Sequence, residues 1–142
     1  MLNDIIIGIS QALDAKFPGS DIHVDEIQQD LNPPCFLIVS LMNTEVQKLG
    51  DRYWREHSFD IHYFPQNIVK PFREAATVGG ALQTVLEYIT VNGALVRGTE
   101  RRYELVDGVL HFFVNYNVFV RKIKDPADYM ETLEHSQLVK GD

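Results

Sequence analysis

A single cysteine, Cys35, in 142 residues leaves no partner for an internal disulfide and too few thiols for a cysteine-rich zinc site. A reducing cytoplasm is the simplest compartment for such usage. No run approaches the roughly 18 uninterrupted apolar residues of a membrane span, and no basic segment leads into an apolar stretch at the start. A soluble, unexported protein with no membrane partner is therefore expected. Positive charge is also scarce: 13 Lys and Arg stand against 20 Asp and Glu, a net charge of −7, so undirected or specific binding to nucleic acid phosphates is not expected. Internal repeats and low-complexity linkers are absent.

What the chain does have is apolar material. With 45% hydrophobic and 11% aromatic residues, a chain of this length can bury a core without metal or disulfide staples, and residues 1–142 are expected to form one domain. Its charge is unevenly placed. Residues 1–51 hold two basic and eight acidic residues, residues 52–124 hold ten and seven, and residues 125–142 hold one and five. Acidic ends around a basic middle suit head-to-tail self-association.

Leu2, Ile5, Ile6, Ile9, Leu13 and Phe17 recur at spacings of three and four, which predicts a helix over 2–17 ended by Pro18-Gly19. Ile22, Val24 and Ile27 suggest a short strand from Asp21, and Asn32-Pro33-Pro34 forbids regular helix before the next element. Cys35 to Met42 is almost continuously apolar, as in a strand buried on both faces, and Asn43 to Asp51 reads as a polar loop. From Arg52 to Phe64 the alternation of a long strand is clear, with a charged first half that projects beyond the sheet in a hairpin.

Phe72, Ala75, Ala76, Leu82, Val85, Leu86 and Ile89 predict a second helix over 70–91, with Gly79-Gly80 at a close contact and Asn92-Gly93 as its left-handed cap. Strands over 96–106 and 109–123 follow, joined by Asp107-Gly108, a strong hairpin signal. Asp125-Pro126 reads as the start of a short helix over 127–133, within a C-terminal segment, 123–142, that is either such a helix or mobile. The expected fold class is α+β: a mostly antiparallel twisted sheet flanked by two main helices. Its core should include Ile6, Ile9, Leu13, Phe36, Ile38, Phe59, Ile61, Leu82, Leu86, Phe112 and Val114.

Chemistry is thin. His57 and His62 are an odd number apart on one strand and face opposite ways, and none of His23, His57, His62, His111 and His135 forms a metal-binding helical pair, so no metal is expected. Cys35 sits in an apolar run where a thiol packs as a small hydrophobe. Gly79-Gly80 lacks the Lys-Ser/Thr of a phosphate loop, and Ser10, Ser40 and Ser58 lack nucleophile-elbow glycines. No enzyme and no cofactor are expected. The most concentrated positive feature is Arg97, Arg101 and Arg102 with Arg52 and Arg55 on an expected neighbouring strand. These arginines read either as a solvated hairpin face or as an interface or pore-lining surface that meets the acidic ends of a neighbouring copy or passing DNA.

The order of several strand motifs is more specific: Pro34-Cys35-Phe36, Gly50-Asp51-Arg52-Tyr53, Phe59-Asp60-Ile61-His62-Tyr63-Phe64-Pro65, Arg97-Gly98-Thr99, and Asp107 to Tyr116. With the first helix they resemble, over residues 2–122, small phage and prophage proteins of Firmicutes described as phage tail terminators. The resemblance implies a ring of six subunits on the end of the tail tube that stops polymerisation and provides a surface for head joining. Its implied partners are further copies, the tail tube protein and neck or connector proteins, with DNA passing through the ring. It implies assembly in the host bacterial cytoplasm and then a place in the virion tail. The alternatives are a neck or head-completion protein, or a small nucleic-acid-binding module.

Overall fold

The computed structural model describes residues 1–25, 31–124 and 129–133. The elements in chain order are α1 (Leu2–Lys16), β1 (Asp21–Val24), β2 (Cys35–Gln47), β3 (Arg52–Phe64), α2 (Phe72–Val85), β4 (Tyr88–Val91), β5 (Ala94–Val106), β6 (Val109–Lys124) and β7 (Tyr129–Leu133). The sheet runs β1-β2-β3-β6-β5-β4, with β7 also paired to β6. Only β1 and β2 are parallel; every other pair is antiparallel. The α+β class and the mostly antiparallel sheet agree with the reading from sequence.

The helices form as their apolar spacing dictates. In α1 the stripe Ile5, Ile9 and Leu13 is fully buried, while Asp4 in the first turn and Lys16 in the last complement the helix dipole. In α2 the stripe is Ala75, Val78 and Leu82. Both stripes join one core with Phe59, Ile61 and Tyr63 of β3, Phe36 and Ile38 of β2, and alternate residues of β6 from Leu110 to Val120. Both helices therefore cover the same sheet face. All the expected core residues are buried except Ile6, which packs half-buried against the cluster.

Three boundaries differ from expectation. The helix expected over 70–91 stops at Val85, and Tyr88–Val91 pairs with Ala94–Arg97 as a hairpin. Its alternation of exposed Tyr88 and Thr90 with buried Ile89 and Val91 is a strand pattern, and Asn92 and Gly93, both at positive φ, form its two-residue turn in place of a helix cap. The polar loop expected over 43–51 is shorter, because β2 continues to Gln47 by pairing with β3 down to Gln47↔Tyr53. The helix expected over 127–133 is contradicted by β7: beyond Tyr116 the edge of β6 is no longer used by β5, and residues 129–133 take up its backbone groups. Ile27, Asp125-Pro126, Ala127 and His135 lie outside the described residues.

Two close contacts fix how the layers stack. A Cβ on Gly8 would lie 2.5 Å from the backbone oxygen of Thr90, so this glycine lets α1 press onto β4. The expected close packing at Gly79 is also present, against the Tyr103 ring, whereas Gly80 faces open space. Gly8→Ala should therefore destabilise the fold by about 1 to 3 kcal/mol, since a strand carbonyl cannot give way. Gly80→Ala should stabilise it by about 0.4 to 1 kcal/mol, because the alanine restricts the unfolded chain and meets nothing. Equilibrium urea unfolding of both variants checks the opposite signs.

The N-terminus of α2 is tied to the end of β3 by one carboxylate. Glu74 accepts hydrogen bonds from Tyr63 Oη at 2.6 Å, Gln66 N at 2.7 Å and Asn67 N at 3.1 Å. Partial burial alone would raise the Glu74 carboxyl, but these donors outweigh it and hold it below the usual carboxylate range. Burial and the adjacent Glu74 push the Tyr63 hydroxyl up, so it stays a donor. A depressed folded value gives stability that is present above the unfolded pKa, about 4.3, and is lost as pH falls through the lower folded one. The stability gap between wild type and Glu74→Gln should accordingly be constant near neutrality and close below about pH 4.3. Urea unfolding across pH 3 to 7 measures that gap, and a gap independent of pH would contradict the assignment.

Candidate assembly surface

Among the described residues one strand edge and one face of the sheet stand out as open to a partner. The edge belongs to β2. β1 pairs only with Cys35–Ile38, so, among the described residues, 39–47 have a strand, β3, on one side only and present unpaired backbone donors and acceptors on the other. This half of β2 is exposed on both faces and carries Leu41, Met42 and Val46, with Leu49 in the following turn 86% exposed. An apolar unpaired edge is a template for another strand. It is held straight from the other side. Glu45 of β2 accepts Arg55 Nε of β3 and Lys122 Nζ of β6, each at 2.7 Å, and those two donors keep its carboxyl below the usual range. The projecting hairpin expected from the charged first half of β3 is instead an end of the sheet where β2, β3, β6 and β7 lie side by side, with Val118 and Val120 of β6 still in the core.

The open face is the side of the sheet opposite α1 and α2. It is formed by Arg52, Trp54, Glu56, Ser58, Asp60 and His62 of β3 beside His111, Phe113, Asn115, Asn117 and Phe119 of β6. Aromatic rings and cations alternate along it. Trp54 and Phe119 have ring centroids 4.7 Å apart, Arg52 lies 4.4 Å over the Phe119 ring, and Arg102 of β5 lies 4.0 Å over the Phe113 ring. At its other end Asp60 Oδ2 meets His62 Nε2 at 3.0 Å and His111 Nδ1 at 2.9 Å. Burial would raise the Asp60 carboxyl, but its two histidine partners hold it below the usual range. As alternation requires, His57 points the other way into the core, where its Nδ1 is 3.1 Å from the Tyr116 carbonyl and burial lowers its pKa. Cys35 is buried, and burial raises its thiol, in keeping with a core role.

The five arginines singled out by sequence are not one cluster. β6 lies between β3 and β5, so Arg52 and Arg55 sit at the hairpin end and Arg97, Arg101 and Arg102 sit across the sheet. Arg52 and Arg102 share the open face at separate rings, whereas Arg55 pairs with Glu45 on the opposite face. Arg97 and Arg101 each approach Glu87 at 3.9 Å. Arg101 does more, donating Nη1 to Gly98 O at 2.6 Å and Nε to Gln83 Oε1 at 3.3 Å, which clasps the bulge of β5 to α2. Sequence reasoning missed the Asp60, His62 and His111 grouping. Asp60-Ile61-His62 puts two donors on one strand face, a signal that was readable, but the third depends on the register of β3 against β6.

Residues 4–128 match the family described as phage tail terminator protein. The chain belongs to the phage tail terminator family. No curated protein matches the chain. A solved structure is similar over 92% of this chain and 96% of its own, with 10% identity and a TM-score of 0.44, a likeness too low to carry an argument. Tail terminators are structural components of the phage tail, in contact with other tail or head components, and the chain accordingly has a structural role in virion assembly. Among the described residues no helix is long and apolar enough to cross a membrane.

The contacts of this tail terminator separate a structural arginine from a surface one. Arg101→Gln should cost about 1 to 3 kcal/mol, because charge-assisted bonds to Gly98 and Gln83 are lost from a part-buried site. Arg97→Gln should stay within about 0.5 kcal/mol, since its side chain is 62% exposed and its one ion pair is long. Thermal or urea unfolding of the two variants checks the order.

Proposed function

We propose that this tail terminator caps the tail tube as one subunit of a six-membered ring, stops tube growth and supplies the surface to which the head joins. The observation that carries the reading is the outer edge of β2 over residues 39–47, unpaired among the described residues and carrying exposed Leu41, Met42 and Val46. A heterologous contact of this edge with a different surface of the next copy, repeated by rotation, closes a ring without leaving the edge exposed. The other partners are the tail tube protein and the neck or connector proteins. Assembly takes place in the host bacterial cytoplasm and the finished ring stays in the virion tail. DNA passes through the lumen without being read by sequence, which suits a chain of net charge −7.

Ring contacts can be weak in free solution and become strong on a tube that offers several sites at once. The test is therefore made on tubes. Purified tail tubes incubated with the protein should acquire one ring-shaped cap each, at the head-proximal end, and further addition of tube subunits should no longer lengthen them. Electron microscopy reads both effects; tubes that stay uncapped and keep growing at saturating protein would count against the reading. Met42→Lys with Val46→Lys should leave the subunit folded, as both side chains are already exposed, and should abolish capping by charging the edge. Arg52→Gln with Arg102→Gln tests the open face separately. If that face meets acidic neighbours, capping should weaken in this pair and in wild type as added salt shortens the screening length from about 8 Å.

A further inference from the structure

Asp60, His62 and His111 are the one grouping of metal-type donors among the described residues, each contributing one ligand atom, with all three atoms within 4.8 Å of one another. We propose that these three side chains form a binding site for a first-row divalent transition metal of the Zn²⁺ type on the open face of the sheet. The inference does not depend on the ring reading above.

The backbone places the donors before any metal arrives. His62 and His111 are direct cross-strand partners, and Asp60 is two residues before His62 on the same face of β3. β3 and β6 are the central pair of the sheet, so these positions move little relative to each other. The imidazoles are held from outside as well: His111 stacks near Phe113 at 6.3 Å and 18°, and His62 lies against Phe64. Zinc bonds of about 2.0 to 2.2 Å in a tetrahedral arrangement put neighbouring ligand atoms about 3.3 Å apart. The Asp60 Oδ2 contacts of 3.0 and 2.9 Å need to open by a few tenths of an ångström, and the two imidazole nitrogens, within 4.8 Å of each other, settle toward the same spacing as the rings turn about the metal.

A second feature of the site points the same way. Asp60 Oδ1 is buried and accepts no hydrogen bond, although Asp60 is only 7% exposed. A buried carboxylate oxygen without a donor is costly, and a cation bound by the carboxylate would offset that cost. Two imidazoles with one carboxylate favour Zn²⁺, Co²⁺ or Ni²⁺ over Mg²⁺ or Ca²⁺, which prefer sets made of oxygens. Both histidines are half-buried and look onto the uncovered face, so a fourth position is left for water or for a donor from a neighbouring molecule. Bound there, the metal would cross-link the two central strands from the side that no helix covers.

Chelator-treated full-length protein titrated with ZnCl₂ by calorimetry should bind one Zn²⁺ per chain saturably and gain thermal stability. CoCl₂ should give the visible absorption of a low-symmetry nitrogen and oxygen site. Asp60→Asn and His111→Gln should each weaken Zn²⁺ binding by at least about tenfold, while His135→Gln should leave it unchanged. If either site variant fails to fold, the wild-type histidine NMR signals decide: Zn²⁺ should shift those of His62 and His111 and leave His57 in place. Absence of saturable binding, binding unaltered in folded site variants, or shifts confined to other histidines would overturn the site and leave an Asp-His hydrogen-bond network in its place.

Discussion

The antiparallel pairing of β3 with β6 is the constraint on which the remaining structure depends. Its register runs unbroken from Arg52↔Arg121 to Tyr63↔Leu110. Because side chains alternate with a period of two, a slip of β3 by one residue would turn Phe59 and Ile61 out of the core and bring Asp60 and His62 into it. Burying charged and imidazole groups against Leu82 and Ile9 would cost several kcal/mol, so the apolar face holds the register with a wide margin. The same register then places His62 beside His111 and Trp54 beside Phe119 on the far side. Core formation and surface arrangement are one event here.

A second consequence concerns the helical layer. Tyr116, near the middle of β6, is fully buried and donates its hydroxyl to the Leu86 carbonyl at 2.7 Å. Leu86 caps α2, and a helix end buried without a partner would leave that carbonyl unsatisfied. Gly98 of β5 fits against the same carbonyl, where a Cβ would lie 2.5 Å away, and its N–H bonds to Glu87 O at 2.6 Å. Helix end, central strand and outer strand therefore meet at one point. β5 bends next to it, with Glu100 at positive φ and a bulge between Thr99 and Arg102, so its first half can pair with β4 and its second with β6.

Most of the fold was readable because its signals are local. The α1 stripe, the alternation of Arg52 to Phe64 and the Asp107-Gly108 turn each lie within a few residues and mean one thing. Asn92-Gly93 does not. Two successive positive φ values serve a hairpin turn, and one serves a helix cap, so the dipeptide was compatible with both; only the β-branched alternation of Ile89, Thr90 and Val91 separates them. The end of the chain was misread for a related reason. Asp-Pro favours a helix start locally, but the vacant edge of β6 offers residues 129–133 a full set of backbone partners. The surface was least legible. Arg55 and Arg101 look adjacent only if β3 neighbours β5, and the insertion of β6 between them is a matter of topology that no spacing records.

The placement of charge bears on how such a subunit can associate. Glu45 satisfies Arg55 and Lys122, Glu87 faces Arg97 and Arg101, and Arg52 and Arg102 spread over aromatic rings. Much of the basic middle region is thus engaged within the subunit, and a partner must compete with contacts that already exist. Exposed pairs are worth little individually and weaken with salt, so the long-range field of the chain is set mainly by its acidic excess. The unpaired stretch of β2 is different in kind. Its backbone groups are held in strand geometry by β3, its apolar side chains Leu41, Met42 and Val46 are exposed, and binding there orders little that is not ordered already. In the proposed ring, charge complementarity would choose among partners and set register while the preorganised edge would supply the affinity, on separate surfaces of the same sheet.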